Sequence, residues 1–218
     1  MLGIVDYGAG NQTSVRRALD ALGITSTISH DAEKLWSCQG IIVPGVGAAG
    51  QAMQQLRGTG LDGLLKDAAK QGRPVLGICL GCQILLDYSE ENDTDLLGLI
   101  HGQCRRFASD LTEEDGRPAP VPHMGWNTLH IQQKDCSLLK GLPSEAFFYF
   151  VHSYYIDPES TQIIAQSYYG HPFTAIVGHE GLWGVQFHPE KKWTAWFTAS
   201  QKLLHILPRG QKSCSVNA

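Results

Sequence analysis

The sequence contains no run of basic residues and no long apolar segment. Lys and Arg together number 17 against 21 Asp and Glu, which gives a formal net charge of -4. Since a protein without a basic patch has little to attract a phosphate backbone, we expect no nucleic-acid partner. No apolar segment reaches the roughly 18 residues that a transmembrane helix needs, so we expect no membrane association either.

Signals of secretion and of metal binding are also missing. The first apolar run, Leu2 to Val5, has neither a basic flank nor a small-residue cleavage site, so we expect no signal peptide and a cytoplasmic location. The sequence has no paired C-x-x-C motifs and no H-E-x-x-H, so we expect no metal site.

Cysteine is present at six positions: Cys38, Cys79, Cys82, Cys104, Cys136 and Cys214. A chain of 218 residues can bury a sizeable core without cross-links. Six reduced thiols are therefore a simpler interpretation than three disulfides.

The first half of the chain alternates between short apolar runs and helical patterns. The strand-like runs are residues 2–5, 24–28, 40–43 and 74–78, and the helical patterns are residues 13–22, 52–56 and 61–68. A further helix is expected to begin at Gln83. This alternation with short connections predicts an α/β fold, an open and mostly parallel sheet flanked by helices. Such sheets bind ligands beyond the carboxyl ends of their strands.

The second half, from about Leu99, is richer in aromatic and β-branched residues. Runs at 149–151, 154–156, 163–164, 173–177 and 183–187 predict shorter, partly antiparallel strands added to the sheet. A final amphipathic helix is expected over residues 194–207, and the polar residues 208–218 are expected to form a flexible tail. We therefore expect one domain over residues 1–207.

The segment Gly77-Ile78-Cys79-Leu80-Gly81 has the G-x-nucleophile-x-G pattern, with an apolar strand before it and a helical pattern after it. This is the context of a nucleophile elbow, in which a tight turn exposes the nucleophile and flanking glycines avoid a collision. A helix N-terminus after Cys79 would favour the thiolate. The N–H of Leu80 would be placed to donate to an oxyanion.

Two other interpretations of Cys79 remain open at this point. A free cysteine at a strand end is often a buried structural residue. Cys79 and Cys82 also form a C-x-x-C that opens a helix after a strand, which would suit a dithiol oxidoreductase. The glycines on both sides favour the elbow, because redox chemistry requires neither of them.

A thiolate needs a base, and the base needs an orienting group. The apolar run Gly184-Val185-Gln186-Phe187 leads into His188-Pro189-Glu190. In extended backbone, residues two apart point to the same side, so His188 and Glu190 are predicted to contact each other. A lone histidine would be interpreted as a satisfied polar residue, but this arrangement beside a cysteine elbow favours a catalytic role.

Taken together, these elements resemble the class I glutamine amidotransferases, whose triad is Cys, His and Glu in this order. The resemblance narrows to the glutaminase subunits of imidazole glycerol-phosphate synthase. The segments that carry it are 3–11 (GIVDYGAGN), 44–47 (PGVG), 77–83 (GICLGCQ), 122–127 (PHMGWN), 149–154 (YFVHSY) and 184–191 (GVQFHPEK). They extend over nearly the whole chain, and PHMGWN and PGVG look unlike other amidotransferase families.

The resemblance implies roles for individual residues. Cys79 would be the nucleophile, His188 the general base and acid, and Glu190 the orienting carboxylate. The backbone N–H groups of Val46 and Leu80 would form the oxyanion hole.

Other matching positions would hold the substrate or the partner. The positions that match glutamine-binding residues are Gln83, Glu91, His152, Ser153 and Tyr154. Without the resemblance, Gln83 would be interpreted as helix surface, Glu91 as a solvated loop charge and His152 as sheet interior. Residues 123–127 match the face that docks on the cyclase subunit, and they include Met124, Trp126 and Asn127. By themselves, Met124 and Trp126 suit a core as well as an interface.

The implied activity is hydrolysis of L-glutamine to glutamate and ammonia through a cysteinyl thioester, with no cofactor. The ammonia would pass to a cyclase subunit with a (β/α)8 barrel fold, in a heterodimer that makes imidazole glycerol phosphate and AICAR in histidine biosynthesis. The Gly45–Val46 peptide would turn its N–H toward the oxyanion site when the liganded cyclase docks.

Departures from the family pattern and competing functions remain. Members often have Met where this chain has Cys82, which would then be a packing residue. After Lys191 the family continues with Ser and a glycine-containing link, whereas this chain has KWTAWF at 192–197 and an additional tail from Pro208. The alternatives are a class I amidotransferase that serves a different synthase, a C-x-x-C dithiol oxidoreductase and a non-catalytic subunit on this fold.

Overall fold

Parallel strands joined by helices form the N-terminal half of a large sheet. A computed structural model of the chain describes residues 1–8, 10–139, 142–143, 145–179 and 181–191. The expected helix at 194–207 and the expected tail at 208–218 lie outside the described residues. The strands are β1 (Leu2–Val5), β2 (Ser26–Ser29), β3 (Gly40–Gly45), β4 (Val75–Cys79), β5 (Tyr88–Ser89), β6 (Thr94–Asp95), β7 (Gly102–Arg106), β8 (His123–Asn127), β9 (His130–Ile131), β10 (Phe148–His152), β11 (Tyr154–Pro158), β12 (Ile163–Tyr169), β13 (His171–His179) and β14 (Leu182–Val185).

The helices follow the predicted order, with an additional short one before β3. They are α1 (Gln12–Ala21), α2 (Ala32–Trp36), α3 (Ala49–Thr59), α4 (Leu61–Lys70) and α5 (Leu80–Gln83). Short 3-10 turns lie at Ser137–Leu139, Ser160–Gln162 and Pro189–Lys191. The Asp31 side chain accepts from the N–H groups of Glu33 and Lys34 and so begins α2. Gly60, in a left-handed conformation at φ 72°, separates α3 from α4.

The order of strands in the large sheet is β2-β1-β3-β4-β14-β13-β11-β7-β5-β6, with β12 paired to β13 and β9 paired to β12. The strands from β2 to β14 pair in parallel. From β14 to β13 the pairing becomes antiparallel. The predicted α/β fold, with partly antiparallel strands added in the second half, is confirmed.

One predicted strand does not join the large sheet. The run at 149–151 forms β10, which pairs antiparallel with β8 in a separate two-stranded sheet. Its buried residues Phe148 and Phe150 pack on the large sheet, where Phe148 meets Phe187 at a ring distance of 4.3 Å. Residues at alternate positions therefore bury one face of β10 and leave the other free to line a site.

Apolar side chains cover both faces of the parallel strands. Leu2 and Ile4 of β1 pack with α1 in one cluster, whereas Val5 packs in the other cluster with helices α2 to α5. This alternation is the pleat of a strand buried on both sides.

The sheet order determines where the site can form. β4 ends at Cys79, and Gly45 at the end of β3 pairs with it directly. On the other side of β4, Val185 of β14 pairs with Ile78. The carboxyl ends of three neighbouring parallel strands therefore meet at one edge, the position where open α/β sheets bind ligands.

Candidate active site

Cys79 lies in the sharp turn that the sequence predicts. Its backbone has φ 54° and ψ -112°, a strained conformation for a residue other than glycine. A Cβ on Gly77 would lie 2.3 Å from the carbonyl oxygen of Gly81, and one on Gly81 would lie 1.8 Å from that of Val43. The predicted steric reason for both glycines is therefore confirmed.

The helix after the elbow differs from the prediction. It begins at Leu80, immediately after Cys79, and it ends at Gln83 after a single turn. The expectation that a helix begins at Gln83 is wrong, because the positive φ of Cys79 reverses the chain at once. The N–H of Leu80 lies in the first turn and has no carbonyl one turn earlier to bond to.

His188 and Glu190 are in contact, as predicted, but not through extended backbone. Nδ1 of His188 lies 2.8 Å from Oε1 of Glu190, and both side chains are buried. β14 ends at Val185, and residues 189–191 form a 3-10 turn that Lys191 closes by donating to the carbonyl of His188. The expectation of extended backbone from His188 to Glu190 is wrong, because the chain turns after β14 and Pro189 begins the 3-10 turn.

The backbone of His188 is attached to the small sheet. Its N–H donates to the carbonyl oxygen of Tyr149 over 2.8 Å. Because Nδ1 faces a carboxylate, Nδ1 carries a proton and Nε2 is the atom left for chemistry. Within the described residues, Nε2 is buried and has no hydrogen-bond partner of normal geometry.

The environment of His188 favours the imidazolium. Burial lowers the pKa of His188, but interactions with the Cys79 thiol and with Glu190 raise it, and the result is a pKa of about 10. Such a shift is expected when a buried imidazole faces a thiolate on one side and a carboxylate on the other. This environment therefore favours a protonated imidazole between the Glu190 carboxylate and the Cys79 sulfur.

A cavity of about 360 Å³ opens above Cys79. Its lining includes Val46, Gly47, Cys79, Leu80, Gln83, Glu91, Pro122, Val151, His152, Ser153, Tyr154 and His188. All the residues predicted for the nucleophile, the base, the oxyanion hole and the substrate therefore meet at one cavity. Glu190 lies behind His188 and is not part of the lining.

The predicted substrate residues are held by contacts within the chain. Gln83 is buried, unlike the helix-surface interpretation, and its Nε2 donates to the carbonyl oxygen of Tyr154 at 2.9 Å. Glu91 accepts from the N–H of Ala49 at 2.7 Å, at the beginning of α3. The Glu91 carboxylate is thereby fixed at the edge of the cavity.

His152 lies in a row of buried aromatic groups. Its Nδ1 is 2.8 Å from the carbonyl oxygen of Tyr154, and its Nε2 is 3.2 Å from Nδ1 of His123. Burial lowers the pKa of His123 to about 4 and that of His152 to about 3, with a further lowering of the latter by His123. Both imidazoles are therefore neutral at pH 7. Since a carbonyl only accepts, His152 carries its proton on Nδ1, and His123 donates to its Nε2.

The residues predicted for a partner interface occupy both faces of β8. Met124 and Trp126 are 62% and 51% exposed, which is unusual for large apolar side chains. Asn127 points to the opposite face, and its Nδ2 donates to the carbonyl oxygen of Tyr168 at 2.7 Å. Met124 pairs with Val151, which lines the cavity, so the exposed face of β8 is continuous with the site.

Three residues that belong to the site were missed in the sequence. Asn11 donates from Nδ2 to Oε1 of Glu190 at 3.3 Å, and the Tyr7 hydroxyl donates to the carbonyl of Pro44 at 2.8 Å. Gln186, fully buried, lies 3.9 Å from Sγ of Cys79 through its Nε2. Asn11 and Gln186 both lie within segments of the family pattern. For Gln186 the available signal was a polar residue in the apolar run before His188.

The C-x-x-C motif does not form a disulfide. Cys38, Cys79, Cys82, Cys104 and Cys136 are free thiols, and Cys214 lies outside the described residues. Cys82 is completely buried, and burial raises the pKa of its thiol well above the usual value. A buried and protonated thiol is unreactive, so the structure does not favour the dithiol interpretation. A Cβ on Gly184 would lie 2.5 Å from Sγ of Cys82, which fits a packing residue.

The described residues contain neither a metal-ligand cluster nor a membrane-spanning helix. No group of three or more His, Cys, Asp and Glu side chains in that part of the chain is placed to hold a metal ion. Across the same residues, no helix is long and apolar enough to cross a membrane.

The fold and the cysteine elbow define a class of α/β enzymes with a thiol at the end of a central strand. The family model "Glutamine amidotransferase class-I" matches residues 3–200 of the chain. A crystal structure of a glutamine amidotransferase has the same fold, with a TM-score of 0.72 and 18% identity, covering 95% of this chain and 99% of that one.

Two bacterial relatives are much more similar in sequence. The imidazole glycerol phosphate synthase subunit HisH of Nitratidesulfovibrio vulgaris (strain Miyazaki F) is 60% identical over 191 residues, which cover 88% of this chain and 90% of the relative. The subunit of the same name from Maridesulfovibrio salexigens is 59% identical over the same shares of the two chains. The chain therefore belongs to the class-I glutamine amidotransferase family and, within it, to the HisH subunits.

Proposed function

We propose that this chain is a glutaminase that supplies ammonia to the other subunit of an imidazole glycerol phosphate synthase. The observation that carries the proposal is the meeting, at one cavity, of the strained Cys79 elbow and the buried His188–Glu190 pair. A thiol, a base and a carboxylate that orients the base are the parts of nucleophilic acyl transfer. The relatives' shared name identifies the synthase.

The first half of the reaction is acylation of Cys79. The thiolate attacks the carboxamide carbon of glutamine, and the electron pair of the C=O bond moves to oxygen. When the tetrahedral intermediate collapses, the C–N bond breaks, and His188 transfers its Nε2 proton to the leaving ammonia. The products are free ammonia and a γ-glutamyl thioester on Cys79.

The second half is hydrolysis of the thioester. His188, now neutral, takes a proton from water as the water oxygen attacks the thioester carbon. The C–S bond breaks, glutamate leaves and the thiolate–imidazolium pair is restored. Glu190 accepts from Nδ1 of His188 in both halves and so holds the donor tautomer, which directs Nε2 toward the reaction.

The oxyanion is assigned to two backbone N–H groups, those of Leu80 and Val46. Leu80 begins α5 beside Cys79, and Val46 follows β3, whose Gly45 pairs with Cys79. A Cβ on Gly45 would lie 2.6 Å from the N atom of Gly81 and 2.8 Å from Cβ of Leu80. Glycine is needed at position 45 for this close approach. It is not needed for the backbone conformation, since the φ of Gly45 is not in the left-handed region.

Glutamine itself is assigned to the side of the cavity formed by α5 and β10. Gln83, Glu91 and residues 152–154 line this side. The fixed carboxylate of Glu91 suits the α-ammonium group of the substrate. The N–H and C=O groups of residues 152–154 suit its polar ends.

The exposed face of β8 is assigned to the cyclase subunit, for which we propose a (β/α)8 barrel. Met124 and Trp126 are the apolar anchors that such an interface requires. Because Val46 is also 43% exposed beside the cavity, a partner on this face could reorient the Gly45–Val46 peptide and complete the oxyanion hole. A location in the cytoplasm and a single domain over residues 1–207 belong to the same proposal.

The proposal is tested by trapping the thioester. The full chain, purified together with its cyclase subunit, is mixed with glutamine, quenched in acid and digested, and the adduct is located by mass spectrometry. A γ-glutamyl group on Cys79, absent when glutamate replaces glutamine, is the expected result. Turnover of glutamine with the adduct at another residue, or with no adduct at any time, would contradict the assignment.

A further inference from the structure

A chain of two buried carboxamides leads from the cavity wall to the nucleophile. Nε2 of Gln83 donates both to the carbonyl oxygen of Tyr154 at 2.9 Å and to Oε1 of Gln186 at 3.1 Å. Nε2 of Gln186 then points at Sγ of Cys79, 3.9 Å away. None of the roles proposed above uses Gln186.

The direction of each carboxamide follows from its partner. A carbonyl oxygen can only accept, so the group that Gln83 presents to Tyr154 is its NH2 group. The second hydrogen of that group requires an acceptor, which must be Oε1 of Gln186. The NH2 group of Gln186 is thereby directed to the sulfur.

Gln186 is held rigidly. Its side chain is fully buried, and its backbone N–H donates to the carbonyl of Ala175 on β13 at 2.9 Å. A buried carboxamide costs free energy unless its polar atoms find partners. An apolar side chain would fill the same space without this cost, so a purely packing role does not require glutamine here.

The sulfur has a second polar neighbour of opposite character. The carbonyl oxygen of Val151 lies 4.0 Å from Sγ, and since it can only accept, it favours the protonated thiol. An N–H at a similar distance favours the thiolate. The N–H of Gln186 therefore stabilises the thiolate and offsets the effect of the Val151 carbonyl, which stabilises the thiol.

We propose that Gln186 is a positioning residue, which donates to Sγ of Cys79 from the buried side and so orients and stabilises the thiolate. The proposal rests on the proposed function only in that Cys79 is the nucleophile. Gln83 lines the substrate side of the cavity and orients Gln186. The carboxamide of Gln186 therefore connects Gln83 to the nucleophile.

The test is a titration of the Cys79 thiol, which needs neither glutamine nor the cyclase. The rate of alkylation of Cys79 by iodoacetamide is measured against pH on the full chain. Fragment ions separate Cys79 from Cys82 and Cys104, which lie on the same tryptic peptide. In Gln186→Met, a substitution that keeps an unbranched side chain of similar size, we expect the midpoint to rise by about one pH unit, because a hydrogen bond to a charged group is lost.

The other groups that act on this thiol stay in place in the variant. They are His188 after β14, Tyr7 after β1 and Cys82 in α5; Glu190 and His152 interact in turn with His188. The chain also offers a matched control. Gln132 donates to Oε1 of Gln166 at 3.2 Å in a glutamine pair on the surface, so Gln166→Met breaks the same kind of contact away from the cavity. We expect no change in midpoint for this control.

A second measurement needs no change at residue 186. The side-chain amide resonance of Gln186 in the wild-type chain should move with the same midpoint as alkylation, and it should not move in Cys79→Ala. In the cyclase complex, Gln186→Met should lower kcat about tenfold with KM within about threefold. An unchanged alkylation midpoint in folded Gln186→Met, or a resonance that ignores the thiol, would overturn the proposal. If wild-type complex released no glutamate while the midpoint shifted, the proposed function would fail and the role of Gln186 would stand.

Discussion

Nδ1 of His188 lies 2.8 Å from Oε1 of Glu190, and the same carboxylate oxygen accepts from Asn11 at 3.3 Å. The imidazole is therefore oriented by a carboxylate that is itself held from α1, the first helix of the chain. His188 and Glu190 are both buried, so no solvent can replace the charge of Glu190 when it is removed.

We expect Glu190→Gln to lower kcat by roughly 10² or more, because a carboxamide can stabilise the wrong tautomer and gives no charge to the imidazolium. KM for glutamine should change little, since Glu190 does not line the cavity. Asn11→Ala should have a smaller effect, about fivefold on kcat, because only one hydrogen bond to the carboxylate is lost. Steady-state glutamate release by the cyclase complex measures both. A larger loss in Asn11→Ala than in Glu190→Gln would contradict the order of contacts.

The elbow glycines give a prediction about stability. A Cβ on Gly81 would lie 1.8 Å from a backbone oxygen of β3, which has no room to move inside the sheet. We expect Gly81→Ala to lose more than about 3 kcal/mol of unfolding free energy or not to fold. Gly58 in α3 and Gly63 in α4 are matched controls, because nothing lies within 4 Å of a Cβ at either position. Alanine there should stabilise the chain by about 0.5–1 kcal/mol. Equilibrium urea denaturation measures the unfolding free energy of the three variants. Equal unfolding free energies would contradict the steric explanation.

The buried imidazole pair predicts how stability depends on pH. The folded-state pKa of His123 is about 4, below the ordinary value of 6.5. Between these values the unfolded chain binds more protons, so the unfolding free energy falls as the pH is lowered from 6.5 toward 4. The centroid of the His123 ring lies 4.1 Å from that of Tyr169. His123→Phe removes the titrating group and keeps an aromatic ring at this position. The variant should lose less stability on acidification, by up to about 1.4 kcal/mol per pH unit. The unfolding free energy is measured against pH for wild type and His123→Phe. Parallel curves would contradict the prediction.

The oxyanion assignment predicts opposite results for two changes at Val46. The isolated subunit should be a poor glutaminase that the liganded cyclase stimulates at least about a hundredfold, the lower end of the effect of one oxyanion donor. Val46→Pro removes the N–H and should abolish most of the stimulation, whereas Val46→Ala keeps the N–H and should retain it. Rates of glutamate release with and without the liganded cyclase decide the matter. Equal stimulation of Val46→Pro and Val46→Ala would refute the switch, though not the triad.

The sequence predicted the parts of the molecule that depend on local pattern. The strands that end at Gly45 and Cys79 are continuous apolar runs, and glycine spacing around Cys79 has one steric explanation. Family resemblance added residues such as Gln83, Glu91 and His152, whose own patterns indicate nothing about a cavity. All of them line it.

Other features could not be predicted because they depend on contacts between distant segments. The helix after Cys79 begins three residues earlier than expected, since the strain at Cys79 turns the chain at once. β8 was not predicted, because its alternating apolar residues Met124 and Trp126 point outward and not into a core. Gln186 had only one local signal, its polarity within the run before His188, because its partners Gln83 and Cys79 are more than a hundred positions away in the chain.

The central claim is that Cys79 releases ammonia from glutamine for a reaction on the partner subunit. The most direct measurement compares Cys79→Ala with wild type in the cyclase complex, with glutamine and then with ammonium as the nitrogen source. We predict that glutamine-dependent synthesis disappears in Cys79→Ala while ammonium-dependent synthesis continues at the wild-type rate. Retention of even about a tenth of the glutamine-dependent rate would contradict the account, because a thioester mechanism has no route without the sulfur.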